Sequence, residues 1–313
     1  MMAQLQPPRT TPFDHSRLRG EMRYGELMAR HTTWRIGGPA DYYYRPADID
    51  DLAEILSQWP DDEPLTWFGL GSNLLVRDGG IRGLVIATSG MLNGILRLEN
   101  NLVRVEAGAA CPKVARYCGR EGLVGAEFLA GIPGTMGGAL AMNAGAFGGE
   151  TWPLIESVET LDRHGVRHHR LPREYTVGYR HVSGPANEWF VAARLSLQSG
   201  DAAISMTRVK ELLGQRGESQ PTGLPSGGSV FRNPQGDYAG RLIEACGLKG
   251  FVVGAAHVSE KHANFIINSG AATAADIESL ILHVQSVVAA QMHITLVPEI
   301  HIIGEHVQVV GDD

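Results

Sequence analysis

Between residues 130 and 150 the chain reads AGIPGTMGGALAMNAGAFGGE, with glycine at 131, 134, 137, 138, 145, 148 and 149 and no charge before Glu150. Glycine costs conformational entropy, so a cluster this dense requires either tight turns or a large group lying directly on the main chain. A second bare stretch, FGLGSNLLVRDGG (68–80), follows an apolar strand, as a phosphate loop does. It is not the G-x-G-x-x-G dinucleotide fingerprint: position 74 is Leu, and LLV reads as strand where that motif needs a helix. The 131–149 cluster lacks Gly-Lys-Ser/Thr, which excludes a Walker loop. Taken singly, each loop reads as a tight turn of a packed β protein. Together, they offer consecutive amides able to form anion-holding concavities, with Ser72, Asn73 and Asn143 as short polar donors. The pair therefore points to a cofactor bearing a diphosphate.

Metal chemistry is not indicated. His164, His168 and His169 fall on or beside a hairpin tip with no carboxylate at ligand spacing, and read as solvated. His257 and His262 are five apart, which suits neither a helical nor a strand ligand pair. Cys111, Cys118 and Cys246 form an odd set without C-x-x-C, arguing against a disulfide framework or zinc knuckle and fitting a reducing compartment. The net charge of −7 excludes a broad nucleic-acid surface, so an anionic ligand must be held by backbone amides or a few placed cations. No apolar run is long enough to span a membrane, and the polar start, MMAQLQPPRTTPFDHSRLRG, lacks the apolar core of a signal peptide. The expectation is a cytoplasmic protein without membrane, metal or nucleic-acid partners. The oligomeric state is left open, a monomer included.

The elements that must carry these loops follow from periodicity. Residues 1–25 read as a loose arm. DYYYRP (41–46) is a short strand, and Asp48 caps a helix running to Gln58 with Ile49, Leu52, Ile55 and Leu56 on one face. LTWFGLG (65–71) and GLVIAT (83–88) read as apolar strands, and ILRLENNLVRVEAGA (95–109) as a hairpin turning at Glu99-Asn100-Asn101. Pro112 opens a short helix that Gly122 ends. A second hairpin covers 157–171 with its turn near Arg163–Gly165, and EWFVAARLSL (188–197) is a strand. Beyond a polar helix (203–215), ESQPTGLPSGGS (218–229) marks a change of composition. There follow a helix near 237–246 closed by Gly247, a strand HANFIIN (262–268), and a helix capped by Thr273 and Asp276. ITLVPEIHIIG (294–304) closes the chain as strand. Strands first, then helices and strands together, predict α+β with two lobes.

GLGSNLLVRDGGIRGLVI (69–86) and AGIPGTMGGALAMNAGAFGGE (130–150) closely resemble the UDP-N-acetylenolpyruvoylglucosamine reductase (MurB) family. So do GGSVFRNP (227–234), GLKGFVVGAAHVSEKHANFIIN (247–268) and LVPEIHIIG (296–304). The resemblance, carried by these five ordered motifs, runs over roughly residues 30–305. The resemblance implies a flavoenzyme of peptidoglycan precursor synthesis. Its expected fold is an FAD-binding lobe of the vanillyl-alcohol-oxidase/PCMH type, built of two α+β subdomains, plus a smaller α+β substrate-binding domain. The expected layout is 1–25 arm, 26–200 FAD-binding domain (subdomains 26–90 and 91–200), 201–305 substrate-binding domain and 306–313 tail. The resemblance implies non-covalent FAD on Gly69, Gly71, Ser72, Asn73, Leu74, Gly131, Ile132, Pro133, Gly134, Gly137, Gly138, Asn143 and Gly145. NADPH would be the electron donor and a UDP-sugar the substrate.

An enolpyruvyl ether accepts hydride at its terminal carbon, and negative charge then spreads into a carboxylate that already carries one. That demands a cation or acidic donor at the carboxylate and a proton donor beside the adjacent carbon. The resemblance implies that Arg180, in GYRHVS, grips the carboxylate, that Glu299 donates to it, and that Ser229, in GGSVFRNP, delivers the proton. It implies substrate contacts from Tyr179, Asn233, Lys261 and His262. Read by type alone, Arg180 is a solvated arginine, Ser229 a turn residue after two glycines and Glu299 an edge-strand carboxylate. Arg180 and Glu299 could equally form an ordinary salt bridge. The chain departs from the family pattern at HTTWRIGGPA (31–40), with His31 and Trp34 where Asn-Thr-Phe or Asn-Thr-Thr is usual. It departs also at Ser183, three residues after the arginine, and at Arg232 in place of a lysine. It lacks the tyrosine-bearing insertion and resembles the shorter class. Two alternatives stand beside this reading: an FAD-dependent alcohol or hydroxy-acid oxidase of the same fold, and a non-catalytic nucleotide-sugar-binding protein.

Overall fold

The structure, a computed structural model, describes residues 13–307. Residues 1–12 of the expected N-terminal arm and residues 308–313 of the expected tail lie outside the described residues. The chain forms two compact units interleaved in sequence. Unit 1 comprises the residues through Tyr24, Tyr42–Gly69 and Gly83–Arg216; unit 2 comprises Gly25–Asp41, Leu70–Arg82 and the chain from Gly217.

In unit 1, Asp48 adopts extended backbone and accepts the amide of Asp51, capping helix α1 (Ile49–Gln58). Its stripe of Ile49, Leu52, Ile55 and Leu56 is buried with Tyr44, Leu84 and Ile86. Strands Leu65–Phe68 and Ile81–Ala87 pair in parallel within a four-stranded sheet. Residues 13–25 are not simply an arm: Phe13 is buried against Trp59 and Tyr42, and a strand begins at Glu21. The second sheet of unit 1 is five-stranded and antiparallel, in the order Arg167–Arg170, Ile155–Asp162, Glu188–Ser196, Leu102–Glu106, Ile95–Arg97. Asn100 and Asn101 both take left-handed backbone at the last turn, a conformation asparagine tolerates. One face of this sheet, through Val103, Val105, Val158, Ala193 and Leu195, forms one core with two helices. These are α2 (Cys111–Arg120) and α3 (Met136–Ala141). Helix α4 (Ala202–Ser219) follows, with Val209 in that core.

In unit 2 the core is Trp34, Leu75, Val230, Phe231 and the apolar faces of α5 (Ala239–Ala245) and α6 (Ala274–Met292). The reciprocal capping box of Thr273 and Asp276 starts α6, and buries Ile277, Leu280, Ile281, Val284 and Val288 along it. A three-stranded antiparallel sheet runs Val252–Val253, Ala256–Val258, Ile266–Asn268. Leu74–Val76 pairs in parallel with His301–Ile303. The expected strand over 262–268 is shorter, because the Ser259–Phe265 segment closes as a turn. Only the end of 294–304 is strand, the segment before it holding an isolated bridge between Phe231 and Pro298.

Candidate active site

In unit 1 the glycine stretch is not loop throughout. Thr135 caps α3 with a hydroxyl that accepts, at 3.4 Å, the amide of Gly138, while Met136 and Gly137 donate their amides to Ala109 and Ala107. Gly69, Gly137 and Gly138 thereby come to line one recess of about 190 Å³, together with Trp67, Phe68, Thr88, Ala107, Thr135, Ala141 and the stretch Glu188–Phe190. A Cβ on Gly69 would stand 2.6 Å from the Thr135 hydroxyl, and one on Gly137 3.0 Å from the Ala107 methyl. Trp67 stacks on Trp189 with ring centroids 5.3 Å apart, and its buried indole N–H has no hydrogen-bond partner among the described residues. An orphaned donor beside bare backbone and stacked rings fits a flat, polar-edged cofactor such as FAD. Burial pushes the Glu188 carboxyl up, but bonds from Arg170 and Thr160 outweigh it and hold the group below the ordinary carboxylate range.

Other glycines of the cluster make room for the chain itself. A Cβ on Gly131 would meet the Phe147 ring at 2.4 Å, and one on Gly145 the carbonyl of Gly149 at 2.5 Å. Ile132 is buried, Pro133 exposed, and the Gly134 carbonyl accepts the amide of Cys111 at the start of α2. Asn143 is 1% exposed, with left-handed backbone at φ +46°. Its side-chain NH2 donates to Glu150 (2.9 Å) and to the carbonyl of Gly178 (3.2 Å), and its Oδ1 accepts the Trp152 amide (3.1 Å). It thus ties the glycine stretch to the hairpin of strands Thr176–Gly178 and His181–Ser183. Tyr179 and Arg180 are the two turn residues of that hairpin, Arg180 with φ +53°. The Arg180 guanidinium lies 5.1 Å from the Tyr179 ring centroid and donates to the carbonyls of Gly145 (2.9 Å) and Asn143 (3.4 Å). The resulting cluster of Asn143, Gly145, Glu150 and Arg180 is legible only in part, since nothing in the sequence marks Glu150 as a partner of Asn143.

In unit 2, Gly71 (φ +61°) presents its carbonyl to Thr33, and Leu74 opens the strand paired with His301. Ser72 is half-buried, and Asn73 donates its side-chain NH2 to the Glu299 carbonyl (3.1 Å) while accepting the His301 amide (2.9 Å). The Glu299 amide in turn donates to the Val230 carbonyl (2.8 Å), and Val230 follows half-buried Ser229. Asn73, Ser229 and Glu299 are therefore on adjoining stretches of one unit. Buried Asn264, which sequence reasoning passed over, exchanges two hydrogen bonds with the Phe231 backbone, and its carbonyl accepts the Val230 amide. Exposed Asn233 accepts the Ala239 amide at the start of α5. Lys261 donates to the Gly217 carbonyl, and half-buried His262 packs edge-on to Phe265 at 4.9 Å, its basicity lowered chiefly by burial. Among the described residues no group of three or more His, Cys, Asp or Glu is disposed to hold a metal, and no helix is long and apolar enough to cross a membrane.

Two family models match the chain. An FAD binding domain covers residues 40–169, and the C-terminal domain of UDP-N-acetylenolpyruvoylglucosamine reductase covers 220–303. A relative of that enzyme name from Alkalilimnicola ehrlichii is 64% identical over 286 residues, spanning 91% of this chain and 96% of its own. The chain belongs to the UDP-N-acetylenolpyruvoylglucosamine reductase family. A relative of the same name from Nitrosococcus oceani is 58% identical, over 92% of this chain and 97% of its own. The solved structure of the Thermus caldophilus family member (MurB) superposes with a TM-score of 0.78 at 34% identity, covering 91% of this chain and 99% of that one. As in that family, the fold class is α+β and includes an FAD-binding domain.

Proposed function

We propose that the protein reduces the enolpyruvyl ether of UDP-N-acetylglucosamine-enolpyruvate to UDP-N-acetylmuramate in peptidoglycan precursor synthesis. NADPH is the electron donor, FAD is held non-covalently, and the reaction takes place in the cytoplasm. In this reading residues 26–200 serve the cofactor and 201–305 the sugar nucleotide. The cofactor residues are Gly69, Gly71, Ser72, Asn73, Leu74, Gly131, Ile132, Pro133, Gly134, Gly137, Gly138, Asn143 and Gly145. The observation that carries the reading is the recess at Gly69, Gly137 and Gly138, whose bare walls and orphaned Trp67 N–H suit the cofactor named by the matching domain.

When bound, FAD supplies the hydride, drawn from NADPH, to the terminal carbon of the enolpyruvyl group. The chain supplies the rest. Arg180 grips the carboxylate, its guanidinium oriented by the Gly145 and Asn143 carbonyls. Glu299, in its acid form, donates to the same carboxylate as charge builds there. The Ser229 hydroxyl delivers a proton to the carbon next to the carboxylate. A serine hydroxyl is a weak acid and serves here because the carbon it protonates is strongly basic. Tyr179, Asn233, Lys261 and His262 contact the sugar nucleotide.

The test separates the two half-reactions anaerobically. In Ser229→Ala, NADPH still bleaches the yellow protein, but the enolpyruvyl substrate no longer restores the colour. Normal colour recovery in that variant would remove Ser229 from its role. A folded, colourless protein that takes up no FAD would end the reading.

A further inference from the structure

Trp34 is fully buried in unit 2. Its indole N–H donates to the Ile266 carbonyl (2.9 Å), and its own carbonyl accepts the side-chain NH2 of Asn268 (2.9 Å). Both ends of the residue are thus fixed to the strand Ile266–Asn268. Gly227 lies directly on the six-membered ring: a Cβ there would stand 2.5 Å from Cζ3 and 2.6 Å from Cη2. Immediately after it, Gly228 takes left-handed backbone at φ +75°, and Ser229 follows. Beyond Ser229 the chain is held again, by Val230 donating to Asn264 and accepting from Glu299. Ser229 therefore lies between two fixed points, the backbone bonds of Val230 on one side and the face of an indole on the other.

We propose that Trp34 is a positioning residue for Ser229: its indole is the platform that fixes the Gly227–Gly228 approach and hence the place of the serine hydroxyl. The inference rests on the role proposed for Ser229. Because Trp34 is held by its indole N–H and by its own backbone carbonyl, the loop has to take its height from the ring. A side chain at 227 would lift the loop by about the missing clearance, and a misplacement of about 1 Å can cost on the order of a hundredfold in a positioned chemical step. Phenylalanine at 34 ends short of Cζ3 and Cη2, so it vacates the space that a methyl at 227 needs.

The experiment compares Gly227→Ala, Trp34→Phe, the double variant and Ser229→Ala, each as the FAD-loaded full chain. It measures anaerobic flavin reduction by NADPH and, separately, reoxidation by UDP-N-acetylglucosamine-enolpyruvate. Gly227→Ala is expected to slow reoxidation by about ten- to a hundredfold and leave reduction within about twofold. The double variant is expected to recover most of the reoxidation rate. A general loss of structure would lower both half-reactions and would not be rescued by a second substitution. Unchanged reoxidation in Gly227→Ala, or a double variant as slow as the two losses combined, would overturn the proposal. If Gly227→Ala does not fold, Trp34→Phe alone decides: selectively slowed reoxidation upholds the platform and a wild-type rate overturns it. Ser229→Ala separates the two readings. If it reoxidises normally, the proton-donor assignment has failed; if it is slow while Gly227→Ala and Trp34→Phe are not, only the platform has failed.

Discussion

Asn143→Ala tests whether the glycine stretch and the Arg180 hairpin are one mechanical piece. The side chain makes three hydrogen bonds: to Glu150, to the Gly178 carbonyl and from the Trp152 amide. Trp152 is only 5% exposed, so its amide would be left without water, at about 1–3 kcal/mol. Glu150 and Gly178 are half-buried and regain water, so those two bonds together contribute about 1 kcal/mol. Alanine at φ +46° adds about 1 kcal/mol of left-handed strain. The sum is about 3–5 kcal/mol, a large part of the roughly 5–15 kcal/mol by which domains are stable. Asn143→Gly loses the same bonds without the strain, and should recover about 1 kcal/mol relative to alanine. The assay is urea unfolding followed by tryptophan fluorescence, with the midpoint shift read at constant slope. In the folded variants the Michaelis constant for the enolpyruvyl substrate should rise, because the Arg180 guanidinium is oriented by the Asn143 and Gly145 carbonyls. A loss below about 1 kcal/mol in Asn143→Ala, where even one buried orphan amide should cost that much, would refute the reasoning.

Three further outcomes are expected. The pKa of His262 lies below its ordinary value of 6.5 because burial disfavours the imidazolium. Its contribution to stability is therefore complete above that pH and is lost as pH falls through 6.5 towards the folded value, since the unfolded chain binds the proton first; His262→Gln should flatten this part of the stability–pH curve. Burial pushes the thiols of Cys111 and Cys118 up to about 12, whereas Cys246 is only half-buried. A thiol reagent at mildly alkaline pH should therefore label Cys246 first and the other two only in denaturant, as mass spectrometry of digests will show. Leu280→Ala, at a fully buried position of α6, should lower stability by about 2–5 kcal/mol in thermal or urea unfolding.

What the sequence displayed was local chemistry. Asp48, Thr273 with Asp276, and the Asn100-Asn101 turn each satisfy nearby backbone groups, and each was readable from residue type alone. Helix α3 was not, because glycine is a poor helix former. Its first amides are drawn in by the Ala107 and Ala109 carbonyls, partners that no local pattern shows. The interleaved units were hidden for the same reason: Leu74–Val76 pairs with His301–Ile303 across more than two hundred residues. The glycine stretch carried two meanings that residue type cannot separate. Gly69, Gly137 and Gly138 line a recess, while Gly131 and Gly145 let the chain pack on itself. Trp34 looked like a departure from a motif and turned out to be a core residue under the Ser229 loop. Asn264 was passed over because a lone asparagine in an apolar run gives no sign that it stands in for a strand's hydrogen bonds.

The most direct measurement is a single anaerobic turnover with the product weighed. FAD-loaded protein is reduced with one equivalent of NADPH, mixed with UDP-N-acetylglucosamine-enolpyruvate, and quenched for mass spectrometry. The account predicts return of the yellow colour with one product per flavin, heavier than the substrate by two hydrogens and matching UDP-N-acetylmuramate. Flavin that stays reduced beside unchanged substrate would contradict it.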